Sequence, residues 1–296
     1  MSLHQKPIVL PKVASPSPAP VGLRYRWRRW LRRCLVVVLV VLIITPMIMY
    51  VSTPRYYRIL VIGSDQRANE PARSDVLMVI AIPKSRSDQL TMVSIPRDTK
   101  IEHPEKGLQK ITHFYAMWDD HTDRLGNRAL TQQVVEELLD VNIHATIEVT
   151  FTSFTDIVNA LGGVDTSQGH LTGEAAQELV HNRFNKPNGD FGRAKAEREV
   201  LRNLLSRVRQ PTNLQKMYTY LQTSPHARLT GSTTTAGWFA LAYLIGHRGN
   251  VSLGETNEIV LPGVGQKLYT PDFGKELYYW VLDDNATASL VNEFVR

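Results

Sequence analysis

Eighteen consecutive residues without a charge, CLVVVLVVLIITPMIMYV at 34–51, constrain this chain more than any other feature. With Trp30 and Leu31 the run comes close to the roughly 20 residues that carry a helix across a bilayer core. Arginines crowd its upstream flank in RYRWRRWLRR (24–33), whereas only Arg55 and Arg58 lie just downstream. That asymmetry predicts a cytoplasmic N-terminus and an extracytoplasmic segment 52–296. The run is long for a cleaved signal peptide, and no small-x-small site follows it, so it reads as a signal anchor. Residues 1–23 are rich in Pro, Ser and Ala and lack apolar periodicity, as disordered segments do. The expected organisation is therefore a basic cytoplasmic tail (1–33), a single membrane span (34–51), a linker (52–56) and one folded domain (57–296).

The charge distribution removes one function class. The pI near 9.4 could indicate a nucleic-acid binder. However, residues 1–51 hold eight of the 34 Lys/Arg and none of the 28 Asp/Glu, which leaves the rest of the chain at about −2. A globally basic surface is thus absent from the folded part, and no nucleic-acid partner is expected. The single cysteine, Cys34, allows no intramolecular disulfide, and no Cys/His spacing points to zinc.

Beyond the apolar run, YRILVIG (57–63), VLMVIAIP (76–83) and LTMVSIP (90–96) are compact and β-rich. The first two are almost continuously apolar, as strands covered on both faces are. NRALTQQVVEELLD (127–140) has helical periodicity with Asn127 as a candidate cap, IHATIEVTF (143–151) alternates like a strand, and SFTDIVNALGG (153–163) reads as a helix closed by glycines. Helices over 172–183 and 192–208, WFALAYLIGH (238–247), a strand EIVLP (258–262) and FGKELYYWVLDDN (273–285) complete the alternation. Interleaved strands and helices predict a layered α/β/α domain around a central mixed sheet. Trp238, Phe239, Leu241, Tyr243 and Leu244 read first as core and second as the lining of a lipid groove.

Charged residues gather where the strands end: Asp65 and Arg67 in GSDQR, Arg73 and Asp75 in RSD, Arg97 and Asp98 in IPRD, with further sets in HNRF (181–184) and GDFGR (189–193). Strand ends of α/β sheets form the usual ligand crevice. The always-charged fork of arginine matches phosphate oxygens, and carboxylates beside a phosphate call for a divalent cation between them. Mg²⁺, which takes one or two carboxylates plus phosphates and water, suits that demand, with Mn²⁺ as an alternative. Asp65, Asp75, Arg73 and Arg97 therefore read as a metal–diphosphate clamp. The Asp-Phe-Gly triplet at 190–192 lacks every other kinase element, and no P-loop is present, which argues against a nucleotide. His113, His144 and His170 read as surface or hydrogen-bonded residues rather than metal ligands.

The strings ILVIGSDQR, RSDVLMV, VSIPRD, KITHFYA, LGGVD, LTGEAA and NGDFGR, in this order and spacing, resemble the LytR-CpsA-Psr family, closely over 57–210 and loosely beyond. The resemblance implies a membrane-anchored phosphotransferase that moves a glycopolymer from a polyprenyl-diphosphate carrier to peptidoglycan. It implies Asp65 and Asp75 as Mg²⁺ ligands and Arg73, Arg97, Arg183 and Arg193 as the diphosphate grip. Asp190 would orient these arginines or act as the base, and Lys110 would contact phosphate or serve structure. Arg97, Asp190 and Arg193 are thus the expected catalytic set. Three departures stand out: His181 where the family pattern has arginine, Ala196 and Glu197 where it has Arg-Gln, and WDDHTDRLG (118–126) in place of Gly-Gly. Diphosphate hydrolysis and non-catalytic lipid binding or regulation are the alternative functions.

Overall fold

The computed structural model describes residues 22–52, 54–65, 72–85, 88–117, 125–181, 190–208, 210–231 and 257–295. They fall into two compact units, divided between Ser52 and Thr53.

The first unit is one helix, α1 (Gly22–Ser52), which takes in the arginine cluster as well as the whole apolar run. The twelve large apolar side chains described between Leu35 and Ile48 are all 45–66% exposed. Apolar groups thus point outward on every side of the helix, the opposite of the one-sided stripe of a surface helix. Over the described residues alone the helix provides no apolar window of membrane-crossing length. The side chains at 46, 49 and 50 lie outside that set, and the sequence fills these positions with the uncharged Pro46, Met49 and Tyr50.

The second unit is built on a six-stranded mixed sheet. Its strands are β1 (Tyr56–Ser64), β2 (Ser74–Pro83), β3 (Thr91–Ile95), β6 (Ala145–Thr150), β9 (Ala227–Gly231) and β10 (Asn257–Val260), in the spatial order β10-β3-β2-β1-β6-β9. Two pairs, β1 with β6 and β3 with β10, are parallel; the remaining neighbours are antiparallel. Because side chains alternate across a sheet, each central strand supplies both faces. Leu60, Ile62, Leu77, Val79, Val93 and Ile95 point to one layer. That layer contains α2 (Ile111–Ala116), α3 (Arg128–Leu139) and α8 (Asp284–Phe294). Ile59, Val61, Met78, Ile80 and Met92 point to the other, which meets α6 (Asp190–Val208). Alongside, α4 (Phe151–Ala160), α5 (Gly173–His181), α6 and α7 (Pro211–Thr223) pack with Ile147, Val149 and Leu229. The expected three-layer mixed α/β architecture is the one observed.

Local chemistry sets the boundaries. Asn127 caps α3 by accepting from the Leu130 N–H, and Asp140 closes that helix at φ 48°, in the left-handed region. The strand expected over 143–151 ends at Thr150, because Thr150 and Ser153 form a reciprocal capping box that starts α4 at Phe151. Three two-stranded ribbons flank the sheet: β4 (Lys100–His103) with β5 (Gly107–Lys110), β7 (Val164–Thr166) with β8 (Gly169–Leu171), and β11 (Gly263–Thr270) with β12 (Lys275–Leu282). FGKELYYWVLDDN is therefore a strand running into the start of α8, while WFALAYLIGH lies outside the described residues.

Candidate functional site

Strand register assembles the charged groups. β1 and β2 pair without interruption from Tyr56↔Pro83 to Gly63↔Val76, and then the register shifts so that Ser64 faces Ser74. The residue passed over is Asp75. A bulge of this kind bends the strand and re-aims the extra side chain. On the other side β2 pairs with β3 through Leu77↔Ile95. Two residues further along that register Arg97 stands across from Asp75, and its Nη1 donates to Asp75 Oδ1 at 2.8 Å. Asp65 is buried, and its Oδ1 accepts the Arg73 N–H at 2.9 Å, which ties the end of β1 to the start of β2. Asp65, Arg73, Asp75 and Arg97 are thus brought to one end of the central strands, as their positions in the sequence led us to expect.

Lys110 joins them through a partner to which the sequence assigned no role. The β4–β5 ribbon pairs Lys100 with Lys110, which returns residue 110 beside Asp98. Lys110 Nζ donates to Asp98 Oδ1 at 2.7 Å, while Asp98 Oδ2 lies 3.8 Å from Arg97 Nε. Asp98 therefore stands between the two cations. Its backbone carbonyl accepts the Trp280 N–H at 2.8 Å, anchoring β12 at the same place. Thr112 staples the layer above, its Oγ1 donating to Ser74 O (2.9 Å) and its N–H to Arg97 O (3.2 Å).

His113 reports the local field. Its pKa is pushed down from 6.5 to about 4, first by burial and then by the Lys110 and Arg73 charges, with Asp98 partly opposing. The imidazole is neutral at pH 7 and pairs with Gln109 Oε1 at 2.9 Å, in keeping with the reading of a hydrogen-bonded residue. Between pH 6.5 and 4 the unfolded chain takes up this proton before the folded one does, so the contribution to stability is complete above about 6.5 and is lost as pH falls. After allowance for solvent screening, lowering the pH from 7.5 to 5 should cost about 1 kcal/mol through this residue. Urea unfolding of His113→Gln at the two pH values should show a smaller loss than the parent; equal losses would show that His113 titrates normally.

Of the other expected site residues, Arg183 lies outside the described residues. Asp190 and Arg193 fall in the first turn of α6, and their side chains, like that of His181 at the end of α5, are outside the described set. Ala196 is buried within α6. Arg198, two residues on, is 8% exposed; its Nη1 donates to Ser94 Oγ of β3 and its Nε to Glu258, each at 3.3 Å. The arginine missing at 196 is therefore followed on the same helix by one buried against β3, which the spacing of the motif did not reveal.

Asp65 and Asp75 offer hard oxygen donors from neighbouring strand ends, each carboxylate oriented by a hydrogen bond at its Oδ1. This donor type suits Mg²⁺ or Mn²⁺, hard cations for which a pair of carboxylates would be completed by phosphate oxygens and water. Among the described residues no group of three or more acidic, His or Cys side chains could bind a metal ion without such help.

A cavity of about 610 Å³ lies between the sheet and the α4–α6–α7 layer. Its walls include Tyr57, Ile59 and Val61 of β1, Met78 and Ile80 of β2, Phe154 of α4, Leu201 and Leu205 of α6, and Met217 of α7. Gly63, Ser64 and Val76 also line it, and they are the neighbours of Asp65 and Asp75. Among the described residues that line it, Glu197 alone is charged. The apolar alternation of β1 and β2 announced a covered face, but not that the cover stands off from it. Trp238, Phe239, Leu241, Tyr243 and Leu244, the sequence's candidates for a lipid groove, lie outside the described residues.

Comparison with known proteins fits this geometry. A polyisoprenyl-teichoic acid–peptidoglycan teichoic acid transferase TagU from Bacillus cereus (strain AH820) is 38% identical over 174 residues. That alignment covers 53% of this chain and 54% of the relative, so the chain spans about half the length of this curated protein. The TagU of Bacillus mycoides (strain KBAB4) is 32% identical over 252 residues, covering 79% of this chain and 76% of the relative. The fold matches the solved structure "TagT bound to LIIa-WTA" with a TM-score of 0.59 at 24% identity, over 81% of this chain and 89% of that one. The LytR_cpsA_psr family model matches residues 50–169 and 166–252. With its strand-end motifs and fold in agreement, the chain belongs to the LytR_cpsA_psr family.

Proposed function

We propose that this protein transfers a glycopolymer, together with one phosphate, from a polyprenyl-diphosphate carrier to a peptidoglycan hydroxyl, while anchored in the cell membrane by residues 34–51. The observation that carries this reading is an apolar cavity of about 610 Å³ that reaches Gly63, Ser64 and Val76, next in the chain to the cluster of cations and carboxylates at the strand ends. Cores are packed almost without voids, so an aliphatic cavity this large is suited to an apolar guest. Its run along β1, from Tyr57 to Ser64, corresponds to about 25 Å of strand, enough for a long hydrocarbon chain. The diphosphate would then sit at the strand ends. The names of the relatives support the substrate class, since those transferases act on polyisoprenyl-linked teichoic acid and peptidoglycan.

In the proposed mechanism the acceptor hydroxyl attacks the phosphorus that carries the sugar. The P–O bond to polyprenyl phosphate breaks, polyprenyl phosphate leaves, and the hydroxyl proton passes to a base, the role assigned to Asp190. Arg73, Arg97 and Lys110 hold the phosphates and stabilise the charge that builds up, with Arg183 and Arg193 as further donors. Asp98 positions Arg97 and Lys110. Mg²⁺, held by Asp65 and Asp75, would neutralise diphosphate charge and favour departure of the leaving phosphate.

The test uses the full chain in detergent with a polyprenyl-diphosphate-linked teichoic acid donor, uncross-linked peptidoglycan and Mg²⁺. Polymer should become covalently attached to the glycan, with release of polyprenyl monophosphate. Free polymer phosphate without attachment would mean a hydrolase, and lipid binding without either product would mean a non-catalytic binder. The exposed apolar girth of α1 and the arginines in its N-terminal part support the anchor. Alkaline phosphatase fused after Arg296 should be active in a bacterial host; an inactive fusion that instead fluoresces with a cytoplasmic reporter would reverse the topology.

A further inference from the structure

The outward face of the β11–β12 ribbon carries a feature that the transfer reaction, as described so far, does not use. Directly opposed residues of an antiparallel pair share a face, so Gly265↔Trp280, Lys267↔Tyr278 and Tyr269↔Glu276 lie on one side. On the other side Thr270 and Tyr279 are buried, while Val264, Gln266 and Lys275 stay exposed. On the outward side, Tyr278 is 46% and Tyr269 63% exposed. Tyr278 lies diagonally across Gly265, where an added Cβ would come within 2.5 Å of its hydroxyl oxygen. Trp280 lies across Gly263 in the same way, with its Nε1 2.7 Å from where a Cβ would be. Two glycines at alternate positions thus let two rings rest flat on the ribbon instead of standing away from it, and Tyr269 follows in the same row.

This row begins at the clamp. Trp280 donates its N–H to Asp98 O at 2.8 Å, and Asp98 holds Lys110. At the ribbon's turn, Phe273 packs on His113 with ring centroids 5.6 Å apart, and Asp272 accepts from Gln109 at 2.9 Å. The composition of the face selects the occupant. Tyr278 stands opposite Lys267 and Tyr269 opposite Glu276, with Lys267 and Glu276 exposed. A bilayer would have to desolvate both charges, at a cost that flat rings do not offset. A pyranose chain needs what is here: rigid apolar planes for its axial C–H groups and hydrogen-bonding groups between them for its hydroxyls and amides.

We propose that Trp280, Tyr278 and Tyr269 form a platform that seats the β-1,4-linked N-acetylhexosamine acceptor strand and directs its hydroxyl toward the clamp. The inference rests on the transfer reaction proposed above and assigns its second substrate a place. Flat aromatic cover over glycines can also serve only to protect a ribbon. Tyr269 separates the two roles, because it is the most exposed of the three rings and covers neither glycine.

The probe is chitotetraose, titrated calorimetrically into the detergent-solubilised full chain. Tyr269→Ala should weaken binding about tenfold, a loss of about 1.4 kcal/mol. Tyr269→Phe, which keeps the plane, should bind like the parent. Thermal unfolding and binding of the polyprenyl-diphosphate donor should be unchanged in both variants. In the transfer assay, Tyr269→Ala should raise the acceptor KM and leave kcat near the parent value. The proposal is overturned if the parent does not bind the tetramer, or if Tyr269→Ala binds it as the parent does. It is also overturned if Tyr269→Ala loses affinity for phosphatidylglycerol vesicles rather than for the tetramer. Failure of donor binding in the parent would instead remove the transferase reading, while the chitotetraose result would still decide the platform.

Discussion

Arg97→Lys is expected to lower kcat for polymer transfer by about 10²–10³, nearly as much as Arg97→Ala, with little change in thermal stability. The physical reason is the reach of the guanidinium. Nη1 bonds Asp75 at 2.8 Å while Nε lies 3.8 Å from Asp98, so one planar group spans two carboxylates. An ammonium keeps the charge but has no fork, and can satisfy only one of these partners at a time. Removing one donor that stabilises charge in the transition state costs about 3–4 kcal/mol. Arg97→Ala confounds this reading, because it also takes the guanidinium away from Asp75, whose side chain is only 10% exposed. Lysine spares that penalty, so its folded, inactive product is the informative one. Parent-like turnover by Arg97→Lys would show that a diffuse positive charge is sufficient. Asp75→Ala, tested alongside, should remain folded and lose the dependence of turnover on Mg²⁺. A folded Asp75→Ala protein with unchanged Mg²⁺ response would exclude this carboxylate as a ligand.

The second large effect concerns the cavity. Leu201 of α6 lines it, and Leu201→Trp would place an indole across the passage. The ring enters open space rather than a filled core, so stability should hold or rise, by about 0.5–2 kcal/mol, as cavity-filling changes do. Donor binding should suffer strongly. Blocking the passage partway excludes at least about four methylenes of the chain, each worth about 0.8 kcal/mol, for a loss on the order of 10² in affinity. A water-soluble diphosphate sugar without the lipid should bind parent and variant alike. Undiminished affinity of Leu201→Trp for the lipid donor would show that the cavity does not take the chain.

Much of this was legible in the sequence because it depends on short-range rules. Alternation and apolar continuity in YRILVIG and VLMVIAIP mark strands covered on both faces, and both are central in the sheet. Asn127 was recognisable as a cap because a cap needs only its own side chain and a nearby N–H. Strand-end placement of Asp65, Arg73, Asp75 and Arg97 followed from counting along each run. Asp98 was visible in the same way, but its task was not, since Lys110 reaches it only through the β4–β5 ribbon. Arg198 escaped for a similar reason: its partners, Ser94 and Glu258, are brought together by the parallel pairing of β3 and β10.

The sequence alone determined which residues are apolar, where strands and helices run, and which charged groups fall at strand ends, because periodicity and capping act over a few residues. Only the tertiary structure decided three things. A register shift between β1 and β2 leaves Asp75 as the extra residue facing Arg97. The helical layer stands off from the sheet and leaves about 610 Å³ between them. The β11–β12 ribbon comes to rest against Asp98 with Tyr269 and Tyr278 exposed and Tyr279 buried. Each is a relation between segments distant along the chain, set by which backbone pairs with which and how closely layers approach. No pattern within a single segment encodes the distance to its neighbour.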